Sequence, residues 1–269
     1  MSTQYDNIQA PYDYIRKKSI AIIEHENVRD TVAPFIKNAR VLELACGSGF
    51  YTYDFLKWGA SAVVGVDISP AMMEEARRQG GPVASSPSST NGTIDFTLAD
   101  CSKPTSYAGG PFDLVFGAWL LNYAPDRAGL VDMYRNIALN LKDGGHFVSV
   151  TVPPAQDPTA SVNAEFSARP PPEGSGGLVY YHIKDVEDGI YFHVHGDTEV
   201  GDVDFDCYHL RKDVYEAAAR EAGLKGELKW GLTSVPERYL KGEGAGGASM
   251  KELESYKSIP NYGILVIAK

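Results

Sequence analysis

The sequence predicts an α/β fold, with a doubly wound, mostly parallel sheet, helices on both faces and an inserted antiparallel meander. Short β-branched apolar runs alternate with helical periods five times between residues 40 and 152, as is typical of parallel sheets. Three segments of alternating apolar and polar residues then follow one another, as in antiparallel hairpins. We therefore expect residues 1–269 to form one domain, with a core of about 38–152 and 211–269. The helices of 1–37 and the insertion 153–210 would form its cap.

The core elements follow in order along the chain. Tyr5–Lys18, which is rich in aromatic residues and ends in three basic ones, reads as helical, and the helical spacing of apolar residues predicts a helix at Ile20–Ile36. Five strands and three helices come next: strands at 40–45, 62–67, 94–98, 112–116 and 146–152, and helices at 50–57, 69–79 and 126–141. The Gly-, Pro- and Ser-rich segment Gly80–Gly92 reads as a surface loop.

The second half of the chain starts with a different composition. Pro153–Gly177 is rich in Pro, Ser and Gly and is predicted to be a long loop. The meander strands are expected at 178–184, 190–195 and 203–210, before a helix at 212–222 that ends at Gly223. Two last strands, Leu224–Leu232 and Tyr262–Ala268, bring the sheet to seven strands.

Composition excludes several classes of partner. The net charge of −10 disfavours nucleic acid and anionic membranes, since both repel an acidic surface. No apolar run reaches the roughly 18 residues of a membrane span, and no leader is visible. The three widely spaced cysteines indicate a reducing, cytoplasmic location. We expect a small-molecule partner, no nucleic acid or membrane partner, and a monomer or homodimer.

The most informative segment joins the first strand to the next helix. It contains Gly47 and Gly49, which let a ligand approach backbone N–H groups at a helix start. Dinucleotide sites carry a third glycine where this chain has Thr52. An acid, Glu43, precedes the loop, and this suits a cationic ligand better than a pyrophosphate.

Glu43-Leu44-Ala45-Cys46-Gly47-Ser48-Gly49 resembles motif I of the class I S-adenosylmethionine-dependent methyltransferases, acid-x-G-x-G-x-G, with Ala45 at the first glycine. Asp67 ends the second strand, where the resemblance implies a carboxylate on the ribose hydroxyls. Asp100-Cys101 ends the third strand, where it implies adenine contacts. The segment 112–123 resembles the fourth-strand region of the family. The resemblance implies a Rossmann-like, seven-stranded sheet and S-adenosylmethionine as the cofactor, with S-adenosylhomocysteine as its product.

Within this family the chain looks most like the small-molecule enzymes of the toxoflavin synthase-like group. The likeness rests on the start, Tyr5–Asp13, and on the run Leu120–Ala124. In such enzymes N-terminal tyrosines fold over the methionine end of the cofactor. The resemblance thus implies these cofactor-binding residues: Tyr5, Tyr12, Glu43, Ala45, Cys46, Gly47, Gly49, Asp67, Ile68, Met72, Asp100, Cys101, Gly117 and Ala118.

The fourth-strand segment also bears on the methyl acceptor. Methyltransferases of nucleobase or glutamine amino groups usually carry (Asn/Asp)-Pro-Pro-(Tyr/Phe) here, whereas this chain has Gly117-Ala118-Trp119-Leu120. We expect the acceptor to be an oxygen or nitrogen of a small aromatic or heterocyclic metabolite. The predicted acceptor-binding residues are Trp119, Asn122, Tyr123 and Tyr191.

Catalytic candidates come from the meander and its neighbourhood: His182, His193 and Tyr123, with His195 and His209 as further histidines. Strand alternation places Tyr191, His193 and His195 on one face, opposite Phe192 and Val194. The histidine face could cover a substrate pocket or face water. We predict no metal ion, because the strand-spaced His193 and His195 show no obvious third ligand.

Two other functions stay open from the sequence. A methyltransferase-like protein could bind the cofactor without transferring a methyl group, for example as a pericyclic catalyst. A dinucleotide-dependent reductase could use a similar sheet, although Thr52 in place of the third glycine argues against it.

Overall fold

The computed structural model describes residues 14–79, 92–168, 178–243 and 246–269. Its larger sheet contains seven strands: β1 (Arg40–Leu44), β2 (Ala62–Asp67), β3 (Thr93–Leu98), β4 (Phe112–Ala118), β5 (Leu141–Thr151), β9 (Leu228–Leu232) and β10 (Gly263–Ala268). A separate sheet contains β6 (Leu178–Val186), β7 (Gly189–Thr198) and β8 (Gly201–Leu210). The helices are α1 (Ser19–Ile36), α2 (Thr52–Lys57), α3 (Pro70–Gln79), α4 (Arg127–Asn140), α5 (Pro158–Ala168), α6 (Lys212–Glu221), α7 (Glu237–Leu240) and α8 (Met250–Ser258).

The seven strands lie in the order β3-β2-β1-β4-β5-β10-β9, which confirms the predicted Rossmann-like sheet. The first five are mutually parallel, and β10 runs antiparallel to both of its neighbours. Parallel strands covered by helices on both faces need apolar side chains in succession, and Val41, Leu42 and Leu44 are all fully buried. The strand order reverses between β1 and β4, where open α/β sheets leave a crevice for ligands.

The three-stranded sheet, here called the cap sheet, has the order β6-β7-β8 and antiparallel pairing throughout. Its two faces differ in polarity because side chains alternate along each strand. Phe192 and Val194 point inward and are 2% and 1% exposed. His193 and His195, which alternate with them along β7, are partly exposed. The apolar face of the cap sheet is therefore the buried one.

One predicted loop contains a helix. Pro153–Gly177 was expected to lack regular structure, but α5 occupies 158–168. Asp157 accepts a hydrogen bond from the Ala160 backbone N–H at 2.9 Å, and Pro158 takes the first helical position, where its missing N–H costs nothing. The Asp-Pro pair marks the start of this helix. The prolines and serines around it led to the prediction of a loop instead.

Other differences are small or fall outside the described residues. β5 begins at Leu141 rather than at residue 146, and the ninth strand begins at Leu228 rather than Leu224. Tyr5, Tyr12 and nearly all of the Gly80–Gly92 segment lie outside the described residues. Among the described helices, none combines the length and apolar character that crossing a bilayer requires. The single-domain division stays a prediction.

Candidate active site

The loop after β1 has an unusual backbone. Ala45, Gly47 and Gly49 have φ values of +56°, +53° and +89°, in the left-handed region. A Cβ on Gly49 would lie 3.3 Å from the Ala76 Cβ, so this glycine lets α3 pack closely. A Cβ on Gly47 would meet nothing within 4 Å, so the space above this residue is open to a ligand. The left-handed φ also explains why glycine suits the position of Ala45, where an L-residue costs roughly 1–2 kcal/mol.

Asp67 closes this loop from the end of β2. Its Oδ2 accepts a hydrogen bond from the Gly47 N–H at 2.8 Å, and its Oδ1 accepts one from the Ser69 N–H at 2.8 Å. The side chain is 8% exposed. An ionised carboxylate has about four acceptor sites, so Asp67 can hold the loop and accept donors such as ribose hydroxyls at the same time.

Glu43 lies beneath the loop and is 2% exposed. Its Oε2 accepts a hydrogen bond from the Thr52 hydroxyl at 2.5 Å. Burial raises the pKa of Glu43 to about 8, and the Thr52 hydrogen bond only partly opposes this shift. Thr52, which stands where a dinucleotide site has its third glycine, thus supplies a hydroxyl to the buried acid.

The adjoining strand ends complete what we call the cofactor edge, residues 43–49, 67–72 and 100–101. Asp100 accepts a hydrogen bond from the Ser102 N–H at 2.9 Å. Burial raises the pKa of the Cys101 thiol to about 12, so it stays protonated and chemically quiet. Burial also raises the pKa of Cys46. Ile68 is 38% exposed beside Asp67, whereas Met72 is buried.

Glu24, on α1, links Tyr51, just beyond the glycine loop, to Trp119 after β4. It is 3% exposed. One carboxylate oxygen accepts hydrogen bonds from Arg16 at 2.9 Å and the Tyr51 hydroxyl at 2.8 Å, and the other accepts from the Trp119 indole N–H at 2.9 Å. Trp119 has a φ of +57°, a strained value that this network helps to hold. Glu24 is not among the residues predicted from the sequence, although its place four residues before the apolar Val28 puts it on the same face of the predicted helix.

A cavity opens beside Trp119, between β4, α1, α5 and the cap sheet. It encloses about 820 Å³ of empty space, including the part open to solvent. We call it the acceptor cavity. Its apolar wall consists of aromatic and aliphatic side chains: Ile15, Ile20, Trp119, Tyr123, Val152, Val162, Leu178, Tyr180, Phe192, Val194 and Phe205. Gly117 and Ala118 end β4 just before this wall.

A few polar groups interrupt the apolar wall. Asn122 is 2% exposed, and its Oδ1 accepts no hydrogen bond within the described part of the chain. His209 is 1% exposed, and burial lowers its pKa to about 4. Its Nε2 lies 2.9 Å from the Pro153 carbonyl, which can only accept, so the neutral ring carries its proton on Nε2 and its lone pair on Nδ1. Burial raises the pKa of the Tyr123 phenol well above its usual range.

Three of the predicted site residues lie away from the cavity. Tyr191 and His193 are on the outer face of the cap sheet, where both contact Asp206 at 2.7 Å. His182 contacts Asp185 at 2.9 Å in an exposed position. For Tyr191 and His193 the physical reason is the two-residue strand period, because burying Phe192 and Val194 turns their polar neighbours outward. His182 pairs with Phe192 on the edge strand β6, next to a shift in register, and its side chain is exposed there. The structure does bring Trp119, Asn122 and Tyr123 together in the cavity wall.

The sheet order and the loop at its crevice define the class I methyltransferase fold. A solved S-adenosylmethionine-dependent methyltransferase from Mesorhizobium loti shares this fold, with a TM-score of 0.57 at 18% identity, over 90% of this chain and 96% of that one. Residues 41–145, which include motif I and Asp67, match the family described as methyltransferase domain. This match to a methyltransferase domain agrees with the resemblance to the class I S-adenosylmethionine-dependent methyltransferases that the sequence predicted. The toxoflavin synthase-like subtype stays a prediction.

Curated relatives match less than half of the chain. The mRNA cap guanine-N(7) methyltransferase of Caenorhabditis elegans is 33% identical over 128 residues, which is 45% of this chain and 33% of that protein. The aklanonic acid methyltransferase DauC of Streptomyces sp. (strain C5) is 31% identical over 120 residues, 44% of this chain and 50% of that protein. The chain thus spans a third to a half of the length of these two relatives.

S-Adenosylmethionine is the cofactor of this class, and the cofactor edge fits it. Gly47 offers open space at the backbone, and Asp67 offers a carboxylate to a ribose. The exposed Ile68 offers an apolar surface at the same edge. Glu43 is the acid nearest to the loop in sequence, and its ionisation is favoured by a nearby positive charge. These assignments of individual residues to the cofactor stay predictions.

Proposed function

We propose that this protein transfers a methyl group from S-adenosylmethionine to an oxygen or nitrogen of a small aromatic or heterocyclic molecule held in the acceptor cavity. The observation that carries this proposal is the position of the cavity. Its wall begins at Trp119 and continues through Asn122 and Tyr123, directly after the strand that borders β1 at the crevice. A molecule in the cavity would thus lie next to the cofactor edge.

The bound cofactor supplies a methyl group already activated by a positive sulfur. The protein's own task is therefore to align the acceptor and to exclude water, which can contribute several kcal/mol and up to roughly 7–11 kcal/mol in ideal cases. The apolar cap sheet suits water exclusion, since Phe192, Val194 and Phe205 turn inward over the cavity.

The lining of the cavity supports an aromatic acceptor. Trp119, Tyr123, Tyr180, Phe192 and Phe205 offer rings for stacked or edge-on contacts. Small-molecule sites typically combine an apolar wall with a few placed polar groups, and this cavity has that composition. A polymer such as RNA or a protein would need an open groove instead.

The polar groups support an acceptor that donates hydrogen bonds. The Asn122 Oδ1 has no donor within the described residues, and a buried unpaired acceptor costs roughly 1–3 kcal/mol until a ligand pairs with it. His209 at neutral pH is an unprotonated ring with a lone pair on Nδ1. Tyr123 stays a neutral phenol. We assign Asn122 to anchoring the acceptor and propose His209, rather than His182 or His193, as the imidazole beside it.

The test is an assay of the full chain with S-adenosylmethionine against a panel of phenols, hydroxyquinones and N-heterocycles. Mass spectrometry should detect a product heavier by one CH₂ group, with an equal amount of S-adenosylhomocysteine. The Asn122→Ala variant should raise the acceptor KM by about tenfold, the effect of one lost buried hydrogen bond, while its affinity for S-adenosylhomocysteine stays unchanged. Asn163→Ala, the same change at an exposed site of α5, is the matched control.

Several outcomes would overturn the proposal. Product formation without S-adenosylhomocysteine release would favour a catalyst that keeps its cofactor intact. Binding of NAD in place of S-adenosylmethionine would favour a reductase. An unchanged acceptor KM in Asn122→Ala would remove the acceptor from this cavity wall.

A further inference from the structure

The outer face of the cap sheet brings two imidazoles and two carboxylates together. His193 and His195 lie two residues apart on β7, and the strand register places Asp206 opposite His193 and Asp204 opposite His195. Residues directly opposite each other on one face of an antiparallel pair have their Cβ atoms about 4.5–5.5 Å apart. The sequence alone showed only the histidine pair, because it did not give the register of β8.

The imidazoles converge on one point. His193 Nε2 lies 3.0 Å and His195 Nδ1 lies 2.8 Å from the same oxygen, Asp204 Oδ1. His193 Nδ1 also lies 2.7 Å from Asp206 Oδ1. One ligand atom from each of His193, His195 and Asp204 can be chosen so that all lie within 4.8 Å of one another. The side chains of both histidines are about a third exposed, so an ion from solution can reach them.

We propose that His193, His195 and Asp204 bind a divalent transition-metal ion, with Zn²⁺ as the type case. Two imidazole nitrogens and a carboxylate oxygen form a ligand set that Zn²⁺ takes at about 2.0–2.2 Å, and Cu²⁺ and Ni²⁺ also accept imidazole. Atoms that bind the same ion at these distances lie closer to one another than 4.8 Å. Modest rotations of the three side chains would therefore bring their ligand atoms onto one ion. A metal ion needs imidazole nitrogens without a proton, so it would compete with protons for His193 and His195.

The location of this site indicates a structural role. β7 and β8 carry the proposed ligands on their outer face and carry Phe192, Val194 and Phe205 of the acceptor cavity on their inner face. An ion held by both strands would cross-link the hairpin that forms this wall. Because the side chains of the two faces point in opposite directions, the ion would lie away from the bound acceptor.

The direct test is calorimetric titration of the untagged full chain, stripped of metal by a chelator and dialysed, with ZnCl₂. We expect one ion per chain. The His193→Ala/His195→Ala double variant should weaken binding by at least the roughly tenfold that losing one supporting contact of a metal ligand costs. With Co²⁺ as the probe, the wild type should show visible absorption bands of low-symmetry coordination that the double variant lacks.

The matched control is His182→Ala. His182 lies on the same sheet and also contacts an aspartate, Asp185, at 2.9 Å, but it is absent from the three-ligand group. Its loss should leave the Zn²⁺ affinity unchanged and should leave intact the rise in melting temperature that Zn²⁺ gives the wild type. The proposal is overturned if the wild type gives neither heat nor Co²⁺ bands. It is equally overturned if the double variant, folded by circular dichroism, binds Zn²⁺ as the wild type does. Neither result depends on methyl transfer.

Discussion

The cofactor edge and the acceptor cavity are neighbours, but the chain builds them in different ways. The edge comes from short segments at the ends of consecutive parallel strands, and backbone groups such as the Gly47 N–H form much of it. The cavity is lined by side chains that lie far apart in the sequence, such as Ile15 and Phe205. A site made of backbone at strand ends leaves a local motif in the sequence, whereas a site made of packed side chains does not.

The largest effect should come from removing Glu24, which lines the acceptor cavity and links it to Tyr51 beyond the glycine loop. Glu24→Ala leaves Arg16, Tyr51 and Trp119 without their shared carboxylate. We expect a loss of about 3–5 kcal/mol in the free energy of unfolding, the cost of removing one partner from a buried ion pair. Urea unfolding followed by circular dichroism measures it. The control is Asp30→Ala, which removes an exposed carboxylate from the same helix. If both changes lower the free energy of unfolding by the same small amount, the role given to Glu24 is contradicted.

The next largest effect should be confined to the cofactor edge. Asp67→Ala removes the carboxylate proposed for the ribose and also leaves the Gly47 and Ser69 N–H groups without their acceptor. We expect the affinity for S-adenosylhomocysteine to fall by about 100-fold, the sum of roughly two charge-assisted hydrogen bonds. Isothermal titration calorimetry measures it.

Asp95→Ala, at an exposed position of the neighbouring strand β3, is the matched control for Asp67→Ala and should bind as the wild type does. An unchanged affinity of Asp67→Ala would remove the ribose assignment. A change in the acceptor KM at saturating cofactor would show that the two regions are not separable.

A third, smaller effect concerns Glu43 and pH. Its pKa is about 8 in the folded protein and near 4.5 when exposed, so the folded state holds a proton that the unfolded state has released between these values. Its contribution to stability is therefore fully present below pH 4.5 and is lost as the pH rises through 8. Glu43→Gln keeps an acceptor for Thr52 and removes the titration. We expect the variant to gain stability relative to the wild type as the pH rises from about 5 to about 9.

Urea unfolding at several pH values measures this difference between Glu43→Gln and the wild type. Glu75→Gln, at a surface ion pair with Arg78, is the control and should follow the wild-type curve. Parallel curves for Glu43→Gln and the wild type over this range would show that Glu43 titrates as an ordinary exposed acid.

The smallest effect should come from an exposed residue on the edge strand of the cap sheet. His182→Ala removes an exposed side chain that lies outside the cavity lining. We expect kcat/KM to change by less than about twofold, because surface substitutions usually shift free energies by about 0.5 kcal/mol or less. A loss comparable to that of Asn122→Ala would return His182 to the catalytic role that the sequence suggested.

The cofactor edge and the cap sheet also differ in how much of each could be predicted from the sequence. Glu43, Gly47 and Asp67 could be placed because strand ends of a parallel sheet meet at one edge, so order along the chain fixes proximity. His193 and Tyr191 could be assigned to a face of their strand by alternation, but alternation does not say which face is covered. The burial of Phe192 and Val194 decided that, and it depends on tertiary packing.

Two further features needed the structure. The role of Glu24 depends on Trp119, 95 residues away, and no local pattern connects them. The pairing of His195 with Asp204 depends on the register of the hairpin between β7 and β8. A shift of one residue would place different side chains opposite each other. Helix α5, by contrast, was signalled by Asp157-Pro158 and could have been predicted.

The most direct test of the central claim is a crystal structure with S-adenosylhomocysteine and an acceptor identified by the activity assay. We predict that the acceptor lies in the cavity, with a donor group on Asn122 and its methyl-accepting atom turned toward the cofactor sulfur past Trp119. An acceptor bound outside the cavity, with Asn122 still unpaired, would contradict the account.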